Sequence, residues 1–95
     1  MKILEKQVEA YLCKRIKELG GICEKFTSPS KRSVPDRIVT QPGGIVTFVE
    51  LKSPQGKPTE KQLRDHALRK KLGARVVILS SYEEIDSYFP RLQKK

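Results

Sequence analysis

Apolar positions along the chain change their spacing several times, and each change marks an element. From Leu4 to Leu19 they fall at Leu4, Val8, Leu12, Ile16 and Leu19, the repeat of a helix with one buried stripe. Gly20-Gly21 stops that helix and offers a residue for a left-handed C-cap. Ile22 to Phe26 follows the turn directly and reads as a short first strand. Thr27 to Pro35 is a polar, basic loop closed by Pro35, which biases Val34 towards extended backbone. Asp36 to Thr40 reads as a second strand and Ile45 to Lys52 as a third. Gln41-Pro42-Gly43-Gly44 between them supplies turn chemistry, so the two strands should pair as an antiparallel hairpin. After a loop from Ser53 to Pro58, Thr59-Glu60-Lys61-Gln62 matches a capping box, opening a helix that runs to Leu72 and stops at Gly73. Val76 to Leu79 is an apolar strand, and Ser81-Tyr82-Glu83-Glu84 is a second capping box starting a short helix that Pro90 ends. The expected order is α-β-β-β-α-β-α, an α/β domain whose last residues, Gln93-Lys94-Lys95, are frayed.

Size narrows this picture. Ninety-five residues with 37% apolar content supply one core and not two, so residues 1–95 read as a single domain. A domain this small buries a modest share of its surface, and a partner subunit over an exposed face adds stability. Charge narrows it further. Twenty Lys and Arg against eleven Asp and Glu leave a net charge of +9, which favours a polyanion: DNA, RNA or an acidic membrane. The longest apolar runs, Ile45 to Val49 and Val76 to Leu79, are strand-sized, far below the roughly 20 residues that span a bilayer. The charged N-terminus leads into no signal-peptide stretch, so the expectation is a cytoplasmic, non-secreted protein with no membrane partner. Cys13 and Cys23 form no CxxC pair and His66 is the single histidine, which argues against a zinc site and for reduced thiols.

The candidate chemistry lies on the hairpin. Alternation along the third strand sorts Ile45, Thr47, Val49 and Leu51 onto one face and Val46, Phe48, Glu50 and Lys52 onto the other. A charged pair thus continues an apolar face, and a carboxylate beside a core needs a cation: Lys52, a metal ion, or both. Asp36 opens the neighbouring strand, and an antiparallel hairpin sets the start of one strand beside the end of the other. Asp36 and Glu50 should therefore converge with Lys52. Two hard oxygen ligands suit Mg²⁺ or Mn²⁺, an ion that neutralises a phosphate and acidifies water. Lys52 could orient or deprotonate that water. A plain cross-strand salt bridge fits the same residues.

Val34-Pro35-Asp36, the turn through Pro42-Gly43-Gly44, and Phe48-Val49-Glu50-Leu51-Lys52 resemble the PD-(D/E)XK nuclease signature, and within it the VRR-NUC (virus-type replication-repair nuclease) branch. The likeness runs from the first helix to the last strand. It covers Glu9 on the helix, Pro35-Asp36-Arg37, Gly43 through Lys52, and Gly56-Lys57-Pro58-Thr59 followed by Gln62, with Ser33 departing where a glycine is frequent. The resemblance implies a restriction-endonuclease-like fold with a mixed central sheet and a phage or bacterial origin. It also implies a Mg²⁺- or Mn²⁺-dependent endonuclease that acts as a homodimer on branched DNA such as four-way junctions. Its catalytic set is Asp36, Glu50, Lys52, Glu9 and Gln62, with metal held by Asp36, Glu50, Glu9 and the Leu51 carbonyl. Glu5 falls inside the apolar arc of the first helix and Glu9 at its edge, so either can face inward. Gln62 equally fits the N3 position of its capping box, and His66, one turn along, is a candidate DNA contact. Lys31, Arg32, Arg37, Lys57 and Lys61 surround this region, with Arg64, Arg69, Lys70 and Lys71 further along; such residues suit phosphates better than base edges. A non-catalytic nucleic-acid-binding module, or a subunit of a larger nuclease complex, remains an alternative reading.

Overall fold

A computed structural model describes residues 2–90; the end from Gln93 to Lys95, expected to fray, lies outside the described residues. The elements are α1 (Glu5–Glu18), β1 (Ile22–Lys25), β2 (Arg37–Gln41), β3 (Ile45–Leu51), α2 (Glu60–Lys71), β4 (Arg75–Leu79) and α3 (Tyr82–Tyr88). Their order is the one the apolar pattern predicts, with ends displaced by a residue or two. The four strands form one mixed sheet in the order β1-β2-β3-β4, antiparallel except for the parallel β3–β4 pair.

The core lies on one face of this sheet. Val8, Leu12 and Ile16 of α1 meet Val39, Val49, Leu51 and Leu79 from the strands and Ile85 and Phe89 from the α3 region. Arg15 is buried with them because its Nε donates to the Phe89 carbonyl at 3.0 Å, and the Tyr11 hydroxyl donates to Asp86 at 2.8 Å. The second face is covered differently. α2 buries Asp65 and His66 and no apolar residue, so it docks through polar groups and leaves Leu63, Leu68 and Leu72 exposed. Among the described residues no helix is long and apolar enough to cross a membrane.

Three local features set the geometry. Gly20 takes φ +83°, the left-handed stop expected after α1, while a Cβ on Gly21 would meet the Thr40 carbonyl oxygen at 2.6 Å. The hairpin turn closes with Gly44 N–H donating to the Gln41 carbonyl at 3.1 Å, with Gly43 at φ +90°, the glycine that a type II turn requires after proline. α3 departs from its expected cap. Ser81 Oγ accepts from the Glu84 N–H at 3.1 Å, but Glu84 Oε1 accepts from the N–H and hydroxyl of Ser80, not of Ser81.

Candidate active site

Val34 and Pro35 are buried, which fixes where the loop delivers Asp36. Although β2 begins one residue later, the Asp36 carbonyl still accepts from Phe26 N–H at 2.9 Å. The hairpin register pairs Arg37 with Val49, so Asp36 comes opposite Glu50. Asp36 Oδ2 accepts from the Leu51 N–H at 2.8 Å, which orients the carboxylate across the strand end.

Glu50 is 1% exposed. The expected apolar face beneath it is only half covered, with Val46 exposed and Phe48 partly buried; α2 is what encloses the carboxylate. Glu50 Oε2 accepts from Gln62 Nε2 at 3.0 Å and lies 3.5 Å from Lys52 Nζ. Oε1 is buried with no hydrogen-bond partner among the described residues, and His66 Nε2, equally unpartnered there, lies 3.7 Å away. His66 is 3% exposed, so its side chain faces Glu50 and not the solvent where DNA contacts lie. Burial first, then the charge of Asp36, pushes the Glu50 carboxyl up to about 7, with Lys52 pulling the other way. Burial likewise lowers His66.

Gln62 makes its capping-box contacts and one contact besides. Its Oε1 accepts from the Thr59 N–H at 2.9 Å and its N–H donates to Thr59 Oγ1 at 3.1 Å, while Nε2 reaches Glu50. One side chain closes the helix cap and braces the carboxylate.

The helix glutamates divide differently. Strand alternation turns Arg37 towards α1, and Arg37 Nε donates to Glu9 Oε2 at 3.0 Å. Glu9 still shares a cavity wall with Asp36. The Glu5 carboxyl is raised by partial burial and then by Asp36, and Lys52 lowers it, which places Glu5 within electrostatic reach of the pair. Among the described residues no three His, Cys, Asp or Glu side chains gather as a ready metal cluster. Asp36 and Glu50 nevertheless fit a divalent ion. Mg²⁺ takes one or two carboxylates and completes its shell with water and phosphate, and a buried carboxylate oxygen without a partner is unusual unless a ligand uses it.

The basic residues also separate. Arg37 is taken by Glu9, and Lys31 Nζ lies 2.8 Å from Asp65 Oδ1. Arg32, Lys57 and Lys61 are exposed. Asp65 escaped sequence reasoning because a charged residue in a polar helix gives no inward signal; only its spacing from Gln62 and Arg69 along one helical face could have raised it.

A protein named "Putative nuclease p44", of Acyrthosiphon pisum secondary endosymbiont phage 1, is 44% identical to this chain over 88 residues, covering 93% of this chain and 94% of that one. A solved VRR_NUC domain superposes with a TM-score of 0.82 at 34% identity, covering 87% of this chain and 90% of the other. No protein-family model matches the sequence. The fold defines a restriction-endonuclease-like α/β domain. The chain belongs to the VRR-NUC family of nucleases.

Proposed function

We propose that the protein is a divalent-metal-dependent endonuclease that hydrolyses DNA phosphodiester bonds. The observation that carries this reading is the Asp36–Glu50 pair at the sheet end, braced by Lys52 and Gln62 and retaining an unpartnered oxygen on Glu50. Asp36, Glu50 and the Leu51 carbonyl are the groups to hold Mg²⁺ or Mn²⁺, and Glu9 joins them only by releasing Arg37. The ion, when bound, supplies charge neutralisation at the phosphate and a more acidic water. Lys52 stabilises developing negative charge and directs the attacking water. Gln62 keeps the Glu50 carboxylate turned so that Oε1 stays available.

Branched DNA such as a four-way junction is the substrate we favour, and a homodimer the acting form, since two sites related by symmetry suit paired cuts. Both rest on family likeness, and the phage relative supports a phage origin. Labelled four-way junction, flap and linear duplex, incubated with Mg²⁺, Mn²⁺ or EDTA, provide the test. Metal-dependent products that Asp36→Asn abolishes are expected, with the junction cut fastest. Binding without any cut product in either metal, or equal cleavage by Asp36→Asn, would sink the nuclease reading.

A further inference from the structure

A buried carboxylate that the reaction does not use ties the loop from Thr27 to Pro35 onto α2. Asp65 is 3% exposed and both its oxygens hold cations: Lys31 Nζ lies 2.8 Å from Oδ1 and Arg69 Nε 2.7 Å from Oδ2. Arg69 is itself fixed, its guanidinium 5.2 Å from the centre of the Phe26 ring and 5.1 Å from that of Phe48. Burial pushes the Asp65 carboxyl up, but the hydrogen bonds from Arg69 and Lys31 prevail and hold it below the ordinary range. The acid therefore stays ionised at neutral pH, and with Arg69 it links the loop, α2, Phe26 just past β1, and β3.

A groove of about 530 Å³ runs beside this point, with Lys31, Arg32 and Ser33 on the loop side and Lys61, Arg64 and Leu68 on α2. A second cavity, about 280 Å³, has Glu9 and Asp36 in its wall and shares Lys31 and Arg32 with the first. The loop is thus the ridge between the groove and the candidate active site. Among the described residues Arg64 pairs with Glu60 alone, at 3.5 Å, and both side chains are largely in solvent, where such a pair holds weakly. Its charge is available to an anion.

We propose that this groove carries the phosphate backbone of the strand flanking the scissile bond, that Arg32, Lys61 and Arg64 contact it, and that Asp65 is a positioning residue holding the loop against α2. The inference rests on the nuclease reading and extends it to the path of the DNA. Lys31 is not among the proposed contacts, because its ammonium is held against Asp65 at 2.8 Å and is not extended along the groove as a free cation. The basic residues therefore differ in a measurable quantity. Each phosphate contact on duplex DNA adds about 0.9 to the slope of log affinity against log salt, whereas a lysine held on a protein carboxylate and touching no phosphate adds little.

The experiment is equilibrium binding of a fluorescein-labelled four-way junction in EDTA, where no cleavage intrudes, over a range of NaCl. Arg32→Ala, Lys61→Ala and Arg64→Ala should each reduce the slope by about 1, and Lys31→Met should leave it unchanged. Unaltered slopes in Lys61→Ala and Arg64→Ala, or a full unit lost in Lys31→Met, would overturn the groove. Asp65→Asn supplies a test of sign. It raises the net charge by one and frees two cations, so simple electrostatics calls for tighter binding; a positioning role calls for binding several-fold weaker at a temperature where circular dichroism shows the variant folded. Tighter binding by folded Asp65→Asn would refute that role. Should Asp65→Asn fail to fold, the slopes of the exposed residues and of Lys31→Met decide between the two accounts. Cleavage in Mg²⁺ is scored separately. A protein that cuts but whose slope ignores both Lys61 and Arg64 loses only the groove; one with the expected slopes that never cuts loses only the nuclease reading.

Discussion

Glu50 is the carboxylate at which burial outweighs the neighbouring cation. Its carboxyl, pushed up to about 7, lies above the ordinary 4.5, so between those values the folded chain binds more protons than the unfolded one. Stability must then fall as pH rises through that window and level off above it. Glu50→Gln removes the effect, and in EDTA at pH 8 we expect the variant to be more stable than wild type by about 1–3 kcal/mol, read from urea denaturation. Metal binding has the opposite pH dependence, because the ion competes with the proton. Mn²⁺ affinity by calorimetry should climb roughly tenfold per pH unit below 7 and flatten beyond it; a flat profile from pH 5.5 to 8.5 would mean that Glu50 is not a ligand.

At the scale of elements, α2 breaks the usual rule that a docked helix presents an apolar stripe. Its inward face carries Gln62, Asp65, His66 and Arg69, joined to Glu50, Lys31 and the Phe26–Phe48 pair. Departures from local patterning of this kind occur at functional or strained sites. The two duties of Gln62 can be separated. Thr59→Ala should cost about 1 kcal/mol of stability through the lost cap with little change in cleavage. Gln62→Glu keeps the capping pattern but sets a carboxylate where Nε2 stood 3.0 Å from Glu50, and cleavage should drop at least about tenfold. Equal activities of these two variants would reduce Gln62 to a helix cap. The turn after α1 gives a purely structural prediction: a Cβ at Gly21, 2.6 Å from the Thr40 oxygen, forces the helix away from the sheet. Gly21→Ala should lose about 1–3 kcal/mol in thermal unfolding.

At the scale of the whole molecule, the proposed dimer has a direct readout. Light scattering should return about twice 10.9 kDa at micromolar concentration, as expected where a small domain gains stability from a covered face; a mass of one chain would remove the dimer and leave the site untouched. The net charge of +9 is not spread as free cations. Lys31, Arg37 and Arg69 are held by Asp65 and Glu9, so the surface offered to DNA is narrower than the lysine and arginine count suggests.

Local chemistry determined much of this protein in advance. Helix spacing, the Pro42-Gly43 turn and the Thr59–Gln62 capping box each act within a few residues, so the element order and the hairpin were legible, and with the hairpin came Asp36 opposite Glu50. Alternation also separated the two faces of β3, yet it could not say which face received the larger core, since that depends on which helices cover it. Tertiary structure decided that α1 and α3 pack on Val49 and Leu51 while α2 closes over Glu50. It also decided that Glu9 answers Arg37, that Asp65 is buried, and that His66 faces inward. Those outcomes turn on pairings between charged groups far apart in the chain, and a charged residue reads the same in sequence whether it meets water or a partner.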